Sequence, residues 1–245
     1  MKLICGPCVA ESYNQLRSTI VKLIPLNIDA FRAGVWKSRT RIGEFEGAGI
    51  KALEWLMRIK DEFNIPIATE VILPEHVELA LKYHIDIIWI GARTTVNPFI
   101  CNEIIKALKE IRIPILIKNP ITPDKRVLFG IFERFINAGQ LDIKLIHRGF
   151  CSTTIPIGMR NDPVFDLIDT FRKEWCNIPI YLDPSHLTGN SLLIENLILN
   201  YYKKYNGLFI ECHYKPKSAL SDCKQQITPL KLSNIFKKIK IFESQ

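Results

Sequence analysis

Two sets of residues in this 245-residue chain carry chemistry that an ordinary surface does not need. The first is Cys8, His186, Glu211 and Asp222. One thiol, one imidazole and two carboxylates make a mixed donor set suited to Mn, Fe, Co or Zn. The second is Lys37, Arg39, Arg93, Lys118 and Arg148, five cations able to hold two phosphates and a carboxylate; the arginines meet such oxygens bidentately. Each member of the first set also has an ordinary role. Cys8 can be core filler or half of a redox pair with Cys5, and His186 a hydrogen-bonded loop residue. Glu211 can pair with an arginine, and Asp222, after Ser221, can cap a helix expected just beyond it. Their spacing is too dispersed for a zinc finger, so only a fold that gathers them makes them a site.

The elements that would gather them are short apolar runs alternating with longer amphipathic segments. The runs are Lys2 to Cys5, Ala30 to Trp36, Ile65 to Val71, Ile85 to Ile90, Ile113 to Ile117, Ile143 to Ile146, Ile178 to Leu182 and Leu208 to Ile210. Several are apolar on both faces, as buried parallel strands are. Between them, Ile50, Leu53, Leu56, Met57 and Phe63 recur at helical spacing, as do Val77 to Leu81, Phe99 to Leu108, Phe165 to Phe171 and Leu230 to Ile239. Eight such units in this length predict one α/β domain over 1–245, a closed (β/α)8 TIM barrel. The rival, an open doubly wound sheet, calls for a glycine-rich GxGxxG turn, and none is present.

In a parallel barrel the site collects where the strands end. Each predicted strand runs into polar residues: Gly6-Pro7-Cys8, Lys37-Ser38-Arg39-Thr40, Thr69-Glu70, Gly91-Ala92-Arg93, Lys118-Asn119, His147-Arg148-Gly149, Asp183-Pro184-Ser185-His186 and Glu211-Cys212-His213. Asp222 lies in the loop beyond the last. Five cations facing one mouth repel one another unless anions arrive to offset them.

Composition narrows the partners. The net charge of +8 favours phosphorylated metabolites, nucleic acid or an acidic membrane. Lys237, Lys238 and Lys240 read as a solvated face. A nucleic-acid binder needs basic residues interleaved with exposed aromatics or a reading motif, and neither is visible. No stretch reaches the length of a membrane span, and Met1 to Gly6 read as a strand rather than a signal peptide. Seven cysteines without regular spacing argue against a disulfide framework and for a reducing cytoplasm. Cys101 and Cys176 fall in expected helices, Cys212 on the strand face opposite Glu211 and His213, and Cys151 and Cys223 beside the site without a pattern.

Taken in order, these strand-end motifs, with Ile117-Lys118-Asn119-Pro120 and the Ser221-Asp222 segment, resemble the type I family of 3-deoxy-D-arabino-heptulosonate 7-phosphate (DAHP) synthases over essentially the whole chain. The resemblance implies a transferase that condenses phosphoenolpyruvate with erythrose 4-phosphate and water at the start of the shikimate pathway to chorismate and the aromatic amino acids. It implies one divalent metal on Cys8, His186, Glu211 and Asp222, and phosphoenolpyruvate on Arg39, Arg93, Lys118 and Arg148. Erythrose 4-phosphate falls to Lys37, Arg39, Thr40 and Asp183. Arg39, Lys118 and His186 are the implied catalytic residues, Lys118 being first choice for proton transfer, with His186 and a metal-bound water as alternatives. Where the family reads Lys-Pro-Arg-Thr, this chain has Ser38; the contacting side chains remain but the turn is less rigid.

The Lys118 and Arg148 segments are most similar to a bacterial branch often fused to chorismate mutase. Neither a mutase nor an N-terminal regulatory domain is expected within 245 residues. A separate mutase is therefore a candidate partner, alongside assembly into dimers or tetramers. The related 3-deoxy-D-manno-octulosonate 8-phosphate synthases carry a Lys-Ala-Asn-Arg-type segment in place of Lys37-Ser38-Arg39-Thr40, so the present residues favour the four-carbon sugar. An octulosonate synthase, or a non-catalytic barrel that scaffolds a mutase, is the alternative.

Overall fold

The computed structural model of the protein describes residues 1–109 and 111–243. Eight parallel strands close into a barrel in sequence order: β1 (Lys2–Gly6), β2 (Ala30–Arg32), β3 (Ile67–Val71), β4 (Ile87–Ile90), β5 (Ile115–Lys118), β6 (Ile143–His147), β7 (Ile180–Leu182) and β8 (Gly207–Glu211). β8 returns to pair with β1 along its full length, Lys2 opposite Gly207 through Gly6 opposite Glu211. Closure removes the sheet edges that the open-sheet rival would have left.

Around the barrel lie α1 (Tyr13–Leu23), α2 (Ile50–Phe63), α3 (Pro74–Lys82), α4 (Pro98–Leu108), α5 (Lys125–Asn137), α6 (Phe165–Glu174), α7 (Pro184–Thr188), α8 (Ile194–Tyr201) and α9 (Pro229–Glu243). The expected helices α2, α3, α4, α6 and α9 are present. α1 and α5 are two that the apolar spacing did not announce, and each is started by a side-chain cap. Ser12 accepts from Gln15 N at 3.1 Å, and Asp124 from Arg126 N at 2.7 Å. Cys176 lies in the turn after α6 rather than in a helix, while Cys101 is inside α4 and fully buried.

The expected strands run too early in four places. At β3, β5 and β7 an Ile-Pro step precedes the ladder, and proline has no N–H to give it. Its carbonyl is used instead: Pro66 O accepts from Phe31 N, Pro114 O from Ile88 N and Pro179 O from Leu145 N. At β4 the turn residue is Asp86. β2 ends at Arg32, four residues before the expected Trp36, because Gly34 already bridges to Val9 and the chain turns over the mouth.

Strand side chains alternate between two cores. Outward residues such as Cys5, Phe31, Ile88, Ile117, Leu182, Ile210 and Cys212 pack under the helices. Inward, each strand contributes one residue to a single layer: Ile4, Ala30, Ala68, Trp89, Leu116, Ile146, Tyr181 and Phe209. Small Ala30 and Ala68 leave room for Trp89, which meets Phe209 edge-on at 5.2 Å. Full burial of one such aliphatic side chain stabilises the fold by about 1.5–3 kcal/mol. Two residues further along each strand, the alternation places Gly6, Arg32, Glu70, Gly91, Lys118, Arg148, Asp183 and Glu211 above that layer, at the C-terminal mouth.

At the opposite end, loop side chains accept amides from the first residues of the strands. Asp29 Oδ2 takes Leu3 N at 2.7 Å, Asp86 Oδ2 takes Ile67 N at 2.9 Å, and Asn206 Oδ1 takes Ile180 N at 2.9 Å. Among the described residues no helix is long and apolar enough to cross a membrane.

Candidate active site

The mouth opens into a cavity of about 510 Å³. Cys8, Lys37, Arg39, Thr40, Arg93, Lys118, Arg148, His186, Glu211 and Asp222 all line it, so ten of the residues singled out in the sequence are brought together. Asp183 is not among them. It is fully buried one layer down, where its Oδ2 lies 2.8 Å from His186 Nδ1 and 3.7 Å from Lys118 Nζ. Its Oδ1 caps α7 by accepting His186 N at 3.0 Å. Burial opposes ionisation of this carboxyl, but His186 and Lys118 outweigh it and hold Asp183 well below the usual carboxylate range. A carboxylate on Nδ1 turns the other ring nitrogen toward the cavity.

On the cavity floor, one donor atom each from Cys8, Glu211 and Asp222 lies within 4.8 Å of the other two. His186 Nε2 stands 3.8 Å from Glu211 Oε1. Asp222 is brought there by a left-handed backbone (φ 50°) in a turn, and α9 begins only at Pro229, so it is no helix cap. Cys8 and Cys5 point to opposite sides of the sheet and both are free thiols, which removes the redox-pair reading. Burial, with Glu211 adding to it and Lys37 opposing, pushes the Cys8 thiol up to about 12.

Lys37 does not reach outward for a phosphate here. Its Nζ donates to Cys8 Sγ at 2.8 Å and to Asp222 Oδ2 at 2.6 Å. Burial disfavours this ammonium, yet Cys8 and Asp222 together raise its pKa above the usual lysine value. The floor therefore holds a positive charge against three acidic donors. Glu211 Oε1, buried, makes no hydrogen bond at all. An orphaned carboxylate oxygen within reach of a thiol, a second carboxylate and an imidazole fits a divalent cation such as Mn, Fe, Co or Zn.

Much of the remaining lining is cationic. Lys118 and Arg148 are both almost fully buried. Burial lowers the pKa of Lys118, and it brings Arg148 down to about 10. Arg93 donates to Ser38 O at 2.9 Å and to Thr40 Oγ1 at 3.2 Å, so it braces the turn that carries Ser38. Arg39 is turned onto Phe45 O at 2.9 Å.

Among the lining residues that went unassigned in the sequence are Arg32, Glu70 and Arg160. Arg32 lies over the rings of both Trp89 and Phe209, 4.6 and 4.4 Å from their centres, with Nε and Nη1 making no hydrogen bond. It hides inside an apolar run, but counting two residues on from Ala30 finds it. Glu70, foreseen only as a strand end, fills the space over Gly91, where a Cβ would stand 2.0 Å from Glu70 Oε1. Arg160 comes from the loop before α6 and carries no strand signal.

The DAHP synthetase I family profile matches residues 1–243. The chain belongs to that family. It is 30% identical over 226 residues to the phospho-2-dehydro-3-deoxyheptonate aldolase of Thermotoga maritima, covering 92% of this chain and 64% of that enzyme. It is also 30% identical over 263 residues to the 2-dehydro-3-deoxyphosphooctonate aldolase of Wolinella succinogenes, covering 94% of each. The crystal structure of the Thermotoga maritima DAHP synthase superposes with a TM-score of 0.88 at 27% identity, over all of this chain and 69% of that one. Its truncated form gives 0.84 at 26%, over 87% of the truncated chain. Both solved relatives are named as DAHP synthases.

Proposed function

We propose that this chain condenses phosphoenolpyruvate with D-erythrose 4-phosphate and water to give DAHP and inorganic phosphate. What supports this above all is the juxtaposition of the Lys37-Ser38-Arg39-Thr40 turn, the Cys8, Glu211 and Asp222 floor and the buried Lys118 and Arg148 in one cavity.

Phosphoenolpyruvate brings a phosphate and a carboxylate to a wall of cations. Arg148, Arg93 and Lys118 are assigned its phosphate, and Arg32, with two unmatched N–H groups, stands beside them. Holding the enol in one orientation converts a two-substrate encounter into a near-unimolecular one. Arg39 and Thr40 are assigned the aldose phosphate, and Arg39 is also within the set that can reach the phosphoenolpyruvate carboxylate. Cys8, His186, Glu211 and Asp222 would hold a divalent metal, whose contribution when bound is Lewis-acid polarisation of the aldehyde.

The carbon–carbon bond forms between C3 of phosphoenolpyruvate and C1 of the aldose. Water adds to C2, and the C2–O bond to the phosphoryl group then breaks, so phosphate leaves with the bridging oxygen and that water's other proton while C2 becomes a ketone. The proton given up by that water balances the one taken by the new hydroxyl. Lys118, whose pKa is lowered by burial, is assigned the proton transfer on this side, with His186, which shares the Asp183 carboxylate with it, as the alternative.

A second reading has a specific basis in the octulosonate aldolase relatives, for which arabinose 5-phosphate is the competing aldose. Steady-state phosphate release by chelator-treated protein, with and without manganese and with each aldose phosphate, separates them. Manganese-dependent turnover with the four-carbon sugar, lost in Cys8→Ala, is expected. Turnover only with the five-carbon sugar would transfer the chain to the octulosonate reaction. Homo-oligomeric assembly and a mutase bound in trans belong to the same proposal, and size-exclusion chromatography with and without added mutase checks both.

A further inference from the structure

Glu211 presents its two carboxylate oxygens to different surroundings. Oε2 accepts from Gln225 Nε2 at 2.7 Å, whereas Oε1 has no hydrogen bond and faces His186 Nε2 and Arg32 Nη2 at 3.8 and 3.5 Å. Gln225 is itself buried, and its Oε1 accepts from Arg160 Nη1 at 2.6 Å. The direction of this relay is set by chemistry. A guanidinium only donates and a carboxylate only accepts, so an amide between them has one favourable orientation. Reversing it would set an amide oxygen against the Glu211 carboxylate and NH2 against the guanidinium.

Arg160 is fixed in turn. Its backbone N–H donates to Leu187 O at 3.0 Å, and its stem lies on Gly189, where a Cβ would stand 2.7 Å from Arg160 Cβ. The backbone N–H of Gln225 donates to Asp222 O at 3.1 Å, joining the relay to the turn that carries the other carboxylate. Its neighbour Gln226 serves the thiol side, accepting Cys8 N at 3.0 Å and donating to Ser221 O at 2.8 Å.

We propose that Gln225, oriented by Arg160, is a positioning residue that engages one oxygen of Glu211 and so presents the other, Oε1, to the metal. The inference rests on the metal reading above. Gln225 touches neither substrate nor metal in this assignment; it removes rotational freedom from a ligand before the metal arrives. Supporting partners of this kind change metal affinity by about 10- to 100-fold.

The test is a manganese(II) titration of chelator-treated full chain, followed by electron paramagnetic resonance, for wild type, Gln225→Met, Arg160→Met and the double variant. Unfolding temperature without metal is recorded for each. Wild type is expected to bind one ion, and Gln225→Met to raise the dissociation constant by about 10- to 100-fold. Arg160→Met should give a smaller loss; because Arg160 Nη1 also stands 3.8 Å from Asp222 Oδ1, part of that loss persists in the double variant, and the combined loss falls short of the sum of the two. Unchanged affinity in Gln225→Met, or additive losses in the double variant, overturns the proposal. If Gln225→Met does not fold, Gln225→Asn, whose shorter amide cannot span Arg160 and Glu211, decides, and wild-type affinity there overturns it. A wild type that binds no manganese sinks the metal reading instead, which keeps the two failures apart.

Discussion

The two ends of the barrel are built from similar polar residues put to opposite use. At the N-terminal end, Asp29, Asp86 and Asn206 each accept an amide at the start of a neighbouring strand. Asp29 and Asp86 also pair with Lys2 and Lys60, both at 2.7 Å. At the C-terminal mouth, Arg32 keeps two N–H groups and Glu211 one oxygen without hydrogen bonds, and the cations outnumber the acids. Matched polar groups hold a fold together; buried groups left unmatched cost stability and are retained where a ligand completes them. Evidence that mouth variants damage the fold as much as base variants do would break this contrast.

The largest effect is expected on the cavity floor. Glu211→Ala should lower condensation by roughly 10³-fold, the several kcal/mol that a Lewis acid supplies, with little change in the unfolding temperature of metal-free protein. Steady-state rates and thermal melts on the same sample check both halves. Arg148→Ala comes next. Losing a buried charge-assisted contact costs about 2–5 kcal/mol, so kcat/KM for phosphoenolpyruvate should fall by about 10²-fold or more.

His147 sharpens the contrast because it neighbours Arg148 yet has both ring nitrogens matched. Nε2–H donates to Pro163 O, and Nδ1 accepts from Tyr205 O–H, each at 2.7 Å. Burial lowers its pKa to about 4 from the ordinary 6.5. Between those values the unfolded chain takes up the proton and the folded chain does not, so stability falls as pH drops through that window. The contribution amounts to roughly 3 kcal/mol by pH 4. Denaturant midpoints at pH 7 and pH 4.5 should separate less in His147→Phe than in wild type. The smallest effect on turnover belongs to the base: Asp86→Ala should cost about 1–3 kcal/mol of stability through the orphaned Ile67 amide while leaving kcat/KM within about twofold.

How far these differences could be read without coordinates depends on periodicity. The barrel was legible because Ile- and Val-rich runs recur eight times, and the strand-end motifs followed from it. Arg32 was not, because an arginine within an apolar run looks like an interruption until strand alternation puts it two residues above Ala30. Lys37 was legible as a mouth residue, but its attachment to Cys8 and Asp222 depends on a turn 185 residues away. Gln225 and Arg160 come from loops, where no period applies and only the folded contacts connect them to Glu211.

One comparison of melting curves tests the central claim most directly. Manganese(II) and phosphoenolpyruvate are added together, each at about 100 times its dissociation constant, to wild type, Asp86→Ala and Arg148→Ala. Ligands that complete the mouth should raise the unfolding temperature of wild type and Asp86→Ala equally, by roughly 10–20 °C, and that of Arg148→Ala by about half as much, since its metal donors are untouched. No rise in wild type, or an equal rise in all three, would contradict the assignment of the mouth as the place where phosphoenolpyruvate and metal bind.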